Sequence, residues 1–148
     1  MSSPAPDLSQ RPLGHTVERD MAASPAALYR AWTGEWERWF ATPGSLLMRA
    51  EVDEPFFFTV EHEGTRHPHY GRFLRLKPDR LVELTWVTGK GGTEGAETVV
   101  MVELEPKGTG TRLRLTHRGF YREESRAENE AAWPHVLAHL DAVMAGPR

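Results

Sequence analysis

The chain has 148 residues, 39% hydrophobic and 26% charged, with a formal charge of -3 at neutral pH. That composition fits one globular domain able to bury about 70% of its unfolded surface, and it is too apolar for a disordered chain. The weak net charge gives no field for nucleic acid or an anionic membrane. The lack of cysteine removes disulfides, thiol catalysis and thiolate-bound zinc.

Met1 to Gly14 is rich in Ser and Pro without periodicity, and reads as a mobile tail before a single domain over 15–146. It lacks the basic start and apolar run of a signal peptide, and no apolar stretch approaches bilayer-spanning length. A cytoplasmic location is the expectation. His15 to Met21 alternates, with Val17, Arg19 and Met21 on one side, and predicts a first strand. Ser24-Pro25 then opens a helix: Ser caps free N–H groups and Pro sits where no hydrogen bond is lost. Leu28, Ala31 and Trp32 follow at helical spacing. A second short helix is expected over Glu35 to Phe40, with Trp36 its exposed aromatic, ending at Thr42-Pro43-Gly44.

Strand signals occupy the middle of the chain. They are Leu46 to Val52, Phe56 to Glu61, Tyr70 to Leu76, Leu81 to Thr88, Thr98 to Leu104 and Thr111 to His117. The turn at Pro78-Asp79, the glycine loop Gly89 to Gly95 and the turn Lys107 to Gly110 separate strands of an antiparallel meander. Gly119 to Arg126 reads as a loop. The last helix runs from about Ser125 to Ala145, with Trp133, Val136, Leu137, Leu140 and Met144 on one face. His135, His139 and Asp141 point away, and Pro134 predicts an irregular turn. The fold class is α+β: a curved antiparallel sheet of about six to seven strands, two short helices, and a long C-terminal helix as its cover.

Four segments together resemble the SRPBCC superfamily of START domains and birch-pollen allergens. Within it they resemble the family related to the C-terminal domain of heat-shock-protein ATPase activators. The first is Val17-Glu18-Arg19 leading through Ser24-Pro25 to Leu28-Tyr29-Arg30-Ala31-Trp32 and Trp39-Phe40. The second is Tyr70-Gly71-Arg72-Phe73 through Pro78 to Leu84-Thr85-Trp86. The third is Gly110-Thr111-Arg112-Leu113 with Leu115-Thr116-His117 and Gly119-Phe120. The fourth is Trp133-Pro134 with Val136-Leu137 and Leu140. The resemblance implies a helix-grip fold with a cavity between sheet and helix. It does not imply one activity, since members include carriers, sensors, cyclases and co-chaperones. Two departures fall at the expected cavity wall: Glu54-Pro55 where members carry Gly-Gly, and Ala132 where they carry Gly before the helix Trp.

Alternation gives an inward set of Val82, Leu84, Trp86, Thr98, Val100, Val102, Leu104, Leu113, Leu115 and His117 facing Trp133, Leu137 and Leu140. An apolar lining of this kind suits a hydrophobic or aromatic small molecule; the plain alternative is a solid core. The candidate ligand-binding residues are Trp36, Phe40, Phe57, Phe73, Trp86 and Val100, with Leu115, His117, Phe120, Trp133, Leu137 and Leu140.

His117 is the main polar candidate: a ligand hydrogen-bonder, a general base beside Tyr121 or Tyr70 in a cyclase- or hydrolase-like enzyme, or a satisfied core histidine. No catalytic residue is assigned. His135 and His139 have i,i+4 spacing and His62, His67 and His69 cluster, but neither set has a carboxylate companion, so no metal and no cofactor are expected. No G-x-S-x-G elbow occurs, and the glycine loop lacks a phosphate-loop ending. An interaction module with a homodimer or chaperone partner is the remaining alternative.

Overall fold

The computed structural model describes residues 4–146. β1 (Leu13–Met21) is followed by α1 (Pro25–Thr33) and a one-turn 3₁₀ helix, Trp36–Arg38. Then come β2 (Pro55–His62), β3 (Thr65–Lys77), β4 (Leu81–Trp86), β5 (Thr98–Lys107), β6 (Gly110–Phe120) and α2 (Glu123–Ala145). The six strands form one antiparallel sheet in the order β1-β6-β5-β4-β3-β2. Chain neighbours pair throughout except β1, which crosses to β6 once α1 has turned the chain. This is the expected α+β helix-grip architecture, with α2 as the long C-terminal helix.

Local chemistry explains the boundaries. Ser24 accepts a hydrogen bond from Ala27 N–H at 3.2 Å and Pro25 opens α1, so the cap operates as its residues require. Every residue of the inward set is buried, because alternate residues of β4, β5 and β6 meet α1 and α2 on one face.

Four expectations are corrected. Leu46 to Val52 is no strand; it makes a single bridge, Leu47 to Phe57, and otherwise runs as irregular chain. Gly119 and Phe120 belong to β6, not to a loop. Trp36 is fully buried: the 3₁₀ turn folds it inward, where it stacks on Trp39 (4.4 Å between centroids) and Phe58 (4.9 Å). Asp141 points inward, with its two carboxylate oxygens each 2.9 Å from the N–H groups of Ala22 and Ala23. Its charge pins α2 to the corner between β1 and α1, because each backbone donor there gains a charged acceptor.

The segment before β1 lies along the outer face of the sheet. Arg11 donates to the carbonyls of Gly119 (2.9 Å) and Glu97 (2.7 Å), and residues 5–9 border one depression with Leu74, Glu83 and Val99. Val99 is consequently buried although it faces away from the core.

Candidate functional site

The middle of the sheet–helix interface is closed by its own side chains. Val100, Leu115, Leu140 and Phe73 are fully buried, and Leu137 and Phe120 are nearly so. Atoms at organic-crystal density leave no room there for a ligand. Space opens at one end, between β2, β3, the Thr88–Gly92 loop and α2. A cleft of about 510 Å³ lies there. Aromatic residues Phe40, Trp86 and Trp133 form its walls, with Val60, Ala132 and Val136 beside them and His67, His69, Lys90 and Asn129 as polar neighbours.

The elements that build the cleft are held by specific contacts. Trp86 ends β4 and lies 5.7 Å from Trp133 of α2, centroid to centroid, joining sheet to helix. The loop wall is fixed by Thr88 and Thr93. Thr88 N–H donates to Thr93 Oγ1 at 2.9 Å, and Thr93 N–H donates to Thr88 Oγ1 at 2.7 Å. Gly92 passes so close to this pair that a Cβ would run into the Thr88 hydroxyl, and Gly91 has φ +85°, so the loop needs glycine there.

His117 belongs to the core, not to the cleft. Trp133 Nε1–H donates to its Nδ1 at 3.1 Å, which leaves the proton on Nε2. Nε2 then donates to Thr98 Oγ1 at 2.8 Å, and that hydroxyl donates to the Trp86 carbonyl at 2.5 Å. Both ring nitrogens are engaged, and burial, followed by the neighbouring His15, holds the imidazole well below its usual pKa. It is a neutral structural histidine that ties α2 to β4, β5 and β6. With neither nitrogen free, it is in no position to act as a base on a ligand. His15 lies 5.7 Å from it, also buried, with both ring nitrogens lacking a protein partner and its pKa lowered by burial.

Of the residues singled out from sequence, Phe40, Trp86 and Trp133 come together in the cleft. Trp36, Phe73, Val100, Leu115, His117, Phe120, Leu137 and Leu140 lie in the packed interior. Phe57 is 38% exposed, on the opposite side of β2 from the buried Phe56 and Phe58.

Sequence reasoning missed His69 as a cleft residue. It half-buries its ring, stacked on Phe58 at 5.2 Å and edge-on to Trp86 at 5.2 Å, and its burial pushes the pKa down to about 4. Among the described residues no three His, Cys, Asp or Glu side chains group as a metal site. No described helix is long and apolar enough to cross a membrane.

The sheet gripping one long helix, with a cleft at its end, defines a helix-grip domain. The family described as Activator of Hsp90 ATPase homolog 1-like protein matches residues 22–145, and the chain belongs to that family. Solved structures share the fold. The AHSA1 protein of Silicibacter pomeroyi is 28% identical, with 90% of this chain and 98% of that one covered and a TM-score of 0.73. A protein of Chromobacterium violaceum is 21% identical over 92% of this chain and 100% of its own, with a TM-score of 0.75. The Aha1 dimer of Colwellia psychrerythraea is 19% identical over 92% and 99%, with a TM-score of 0.68. A search of the curated proteins finds no match.

Proposed function

We propose that this domain, residues 15–146, is a cytoplasmic binder of a small apolar or aromatic molecule, held in the end cleft and not in the centre of the sheet–helix interface. The observation that carries the reading is the 510 Å³ cleft walled by Phe40, Trp86 and Trp133. Its volume falls in the range of small-molecule sites, and it combines apolar walls with a few polar groups, as such sites do. The function is non-catalytic: His117 is fully bonded, and the polar cleft residues do not form a nucleophile–base pair.

Titration with 2-naphthol, followed by quenching of tryptophan fluorescence, tests this. Wild type gives saturable quenching. Ala132→Trp, which fills the cleft from an exposed position on α2, abolishes saturation while leaving the melting temperature nearly unchanged. Equal binding by both proteins contradicts the reading.

A second reading, an interaction module with a homodimer or chaperone partner, has one observation in its favour. Leu47, Phe57 and Tyr70 are cross-strand neighbours and are 69%, 38% and 48% exposed. Such a stripe suits a protein partner. Sedimentation of wild type against Phe57→Lys distinguishes it: a dimer that the substitution dissociates supports this face, and a monomer in both removes the homodimer.

A further inference from the structure

We propose that His69 supplies the cleft with a fixed hydrogen-bond acceptor, so that it selects aromatic ligands bearing a ring hydroxyl or ring N–H, the phenols and indoles. The inference rests on the cleft reading above and deepens it. Nδ1 of His69 lies 3.1 Å from the carbonyl oxygen of His67. A carbonyl only accepts, so Nδ1 carries the proton and Nε2 keeps its lone pair. Among the described residues no side chain hydrogen-bonds Nε2, and His69 lines the cleft.

The ring cannot readily swivel to change this. One face stacks on Phe58, with 18° between planes, and Trp86 and Phe40 meet it edge-on at 79° and 85°. Burial also keeps the imidazole neutral, its pKa lowered to about 4. The other titratable groups on the cleft are Glu61 and His62 of β2, His67 of β3 and Lys90 of the loop. None of their side chains is hydrogen-bonded to the ring, which bonds to backbone alone, at His67 and Pro68.

A wholly apolar ligand would strip water from Nε2 and return nothing, leaving a desolvated acceptor unpaired. A ring-borne donor replaces the lost bond. Sites with such a group reject analogues that lack the donor more strongly than they reject a change in apolar size.

The test uses the full chain and three probes of nearly equal shape: 2-naphthol, 2-methylnaphthalene and 2-methoxynaphthalene. In wild type, 2-naphthol binds about tenfold tighter than 2-methylnaphthalene, a difference of one pairing. The methoxy compound, which has the oxygen but no proton to give, shows no such gain. This preference persists from about pH 8 to about pH 5, where an ordinary imidazole would be mostly protonated. His69→Phe brings the ratio of naphthol to methylnaphthalene affinity near one, mainly by raising methylnaphthalene affinity severalfold, because no acceptor is left to be desolvated. Equal affinity for all three probes in wild type overturns the acceptor role and leaves the cleft reading standing. A preference that survives His69→Phe assigns the acceptor elsewhere and overturns it as well. Failure of every probe to bind overturns both readings. If His69→Phe does not fold, the imidazole nitrogen signals of His69 in labelled wild type decide the matter: Nε2 moves on binding 2-naphthol and not 2-methoxynaphthalene, and a His69 signal that does not move overturns the role.

Discussion

Replacing His117 by Leu tests whether this residue is a structural histidine. Leu keeps the approximate bulk but takes the acceptor from Trp133 Nε1–H, which is then buried without a partner. Thr98 retains its bond to the Trp86 carbonyl, so the main loss is one orphaned donor. Such a donor costs about 2 kcal/mol, which for a domain of this size lowers the melting temperature by about 4–8 °C.

The cost also depends on pH, and the sign follows from burial. Folding depresses the His117 pKa, so below about pH 6.5 the unfolded chain takes up a proton that the folded chain refuses. The stability conferred by the neutral form is complete above that pH. It is lost at up to about 1.4 kcal/mol per pH unit as the pH falls. His117→Leu has no such loss. The deficit of about 2 kcal/mol at about pH 7.5 therefore shrinks to less than half by about pH 5.5. Urea unfolding of both proteins at the two pH values measures this, with His15 and His69 common to each. A constant deficit, or none at either pH, would refute the assignment of His117 as a neutral core histidine.

Other substitutions have equally definite expectations. Asp141→Ala strands the N–H groups of Ala22 and Ala23 and costs about 3 kcal/mol, whereas Asp141→Asn keeps one acceptor and costs about half as much; denaturant midpoints separate them. Gly71→Ala would drive a methyl into the Thr85 carbonyl and hydroxyl, costing about 1–3 kcal/mol and loosening the β3–β4 pairing, which amide exchange at Arg72 reports. Ser24→Ala removes the α1 cap and costs about 1 kcal/mol, read from the same melts.

Strand alternation and helix caps were legible because each is local. The inward set of β4, β5 and β6 follows from period two alone, and Ser24-Pro25 announces α1 through side-chain chemistry. The site was less legible because the space left by packing is a property of the whole core. Val100, Leu115, Leu137 and Leu140 face inward as alternation and helical spacing require, yet they fill the centre against one another. The open end is where side chains are short: Gly89, Gly91 and Gly92 on the loop and Ala132 on α2. Both signals stood in the sequence, but neither says that the two segments face each other. His69 was visible only as one of three neighbouring histidines; its free nitrogen depends on the His67 carbonyl and the Phe58 stack, contacts made by folding. Asp141 was misread because an acidic residue near a helix end usually faces water, and here two backbone donors from a distant corner draw it inward. The N-terminal segment, read as a tail, has Arg11 bonded to carbonyls more than 80 residues away in sequence.

Where an aromatic ligand sits is decided by amide and indole chemical shifts of the isotopically labelled protein during titration with 2-naphthol. Binding in the end cleft moves the amides of His69, Gly91 and Ala132 and the indole signals of Trp86 and Trp133 along one saturation curve, while Val102 and Leu113 stay fixed. Shifts confined to Leu47, Phe57 and Tyr70, or none up to millimolar probe, would contradict the cleft as the binding site.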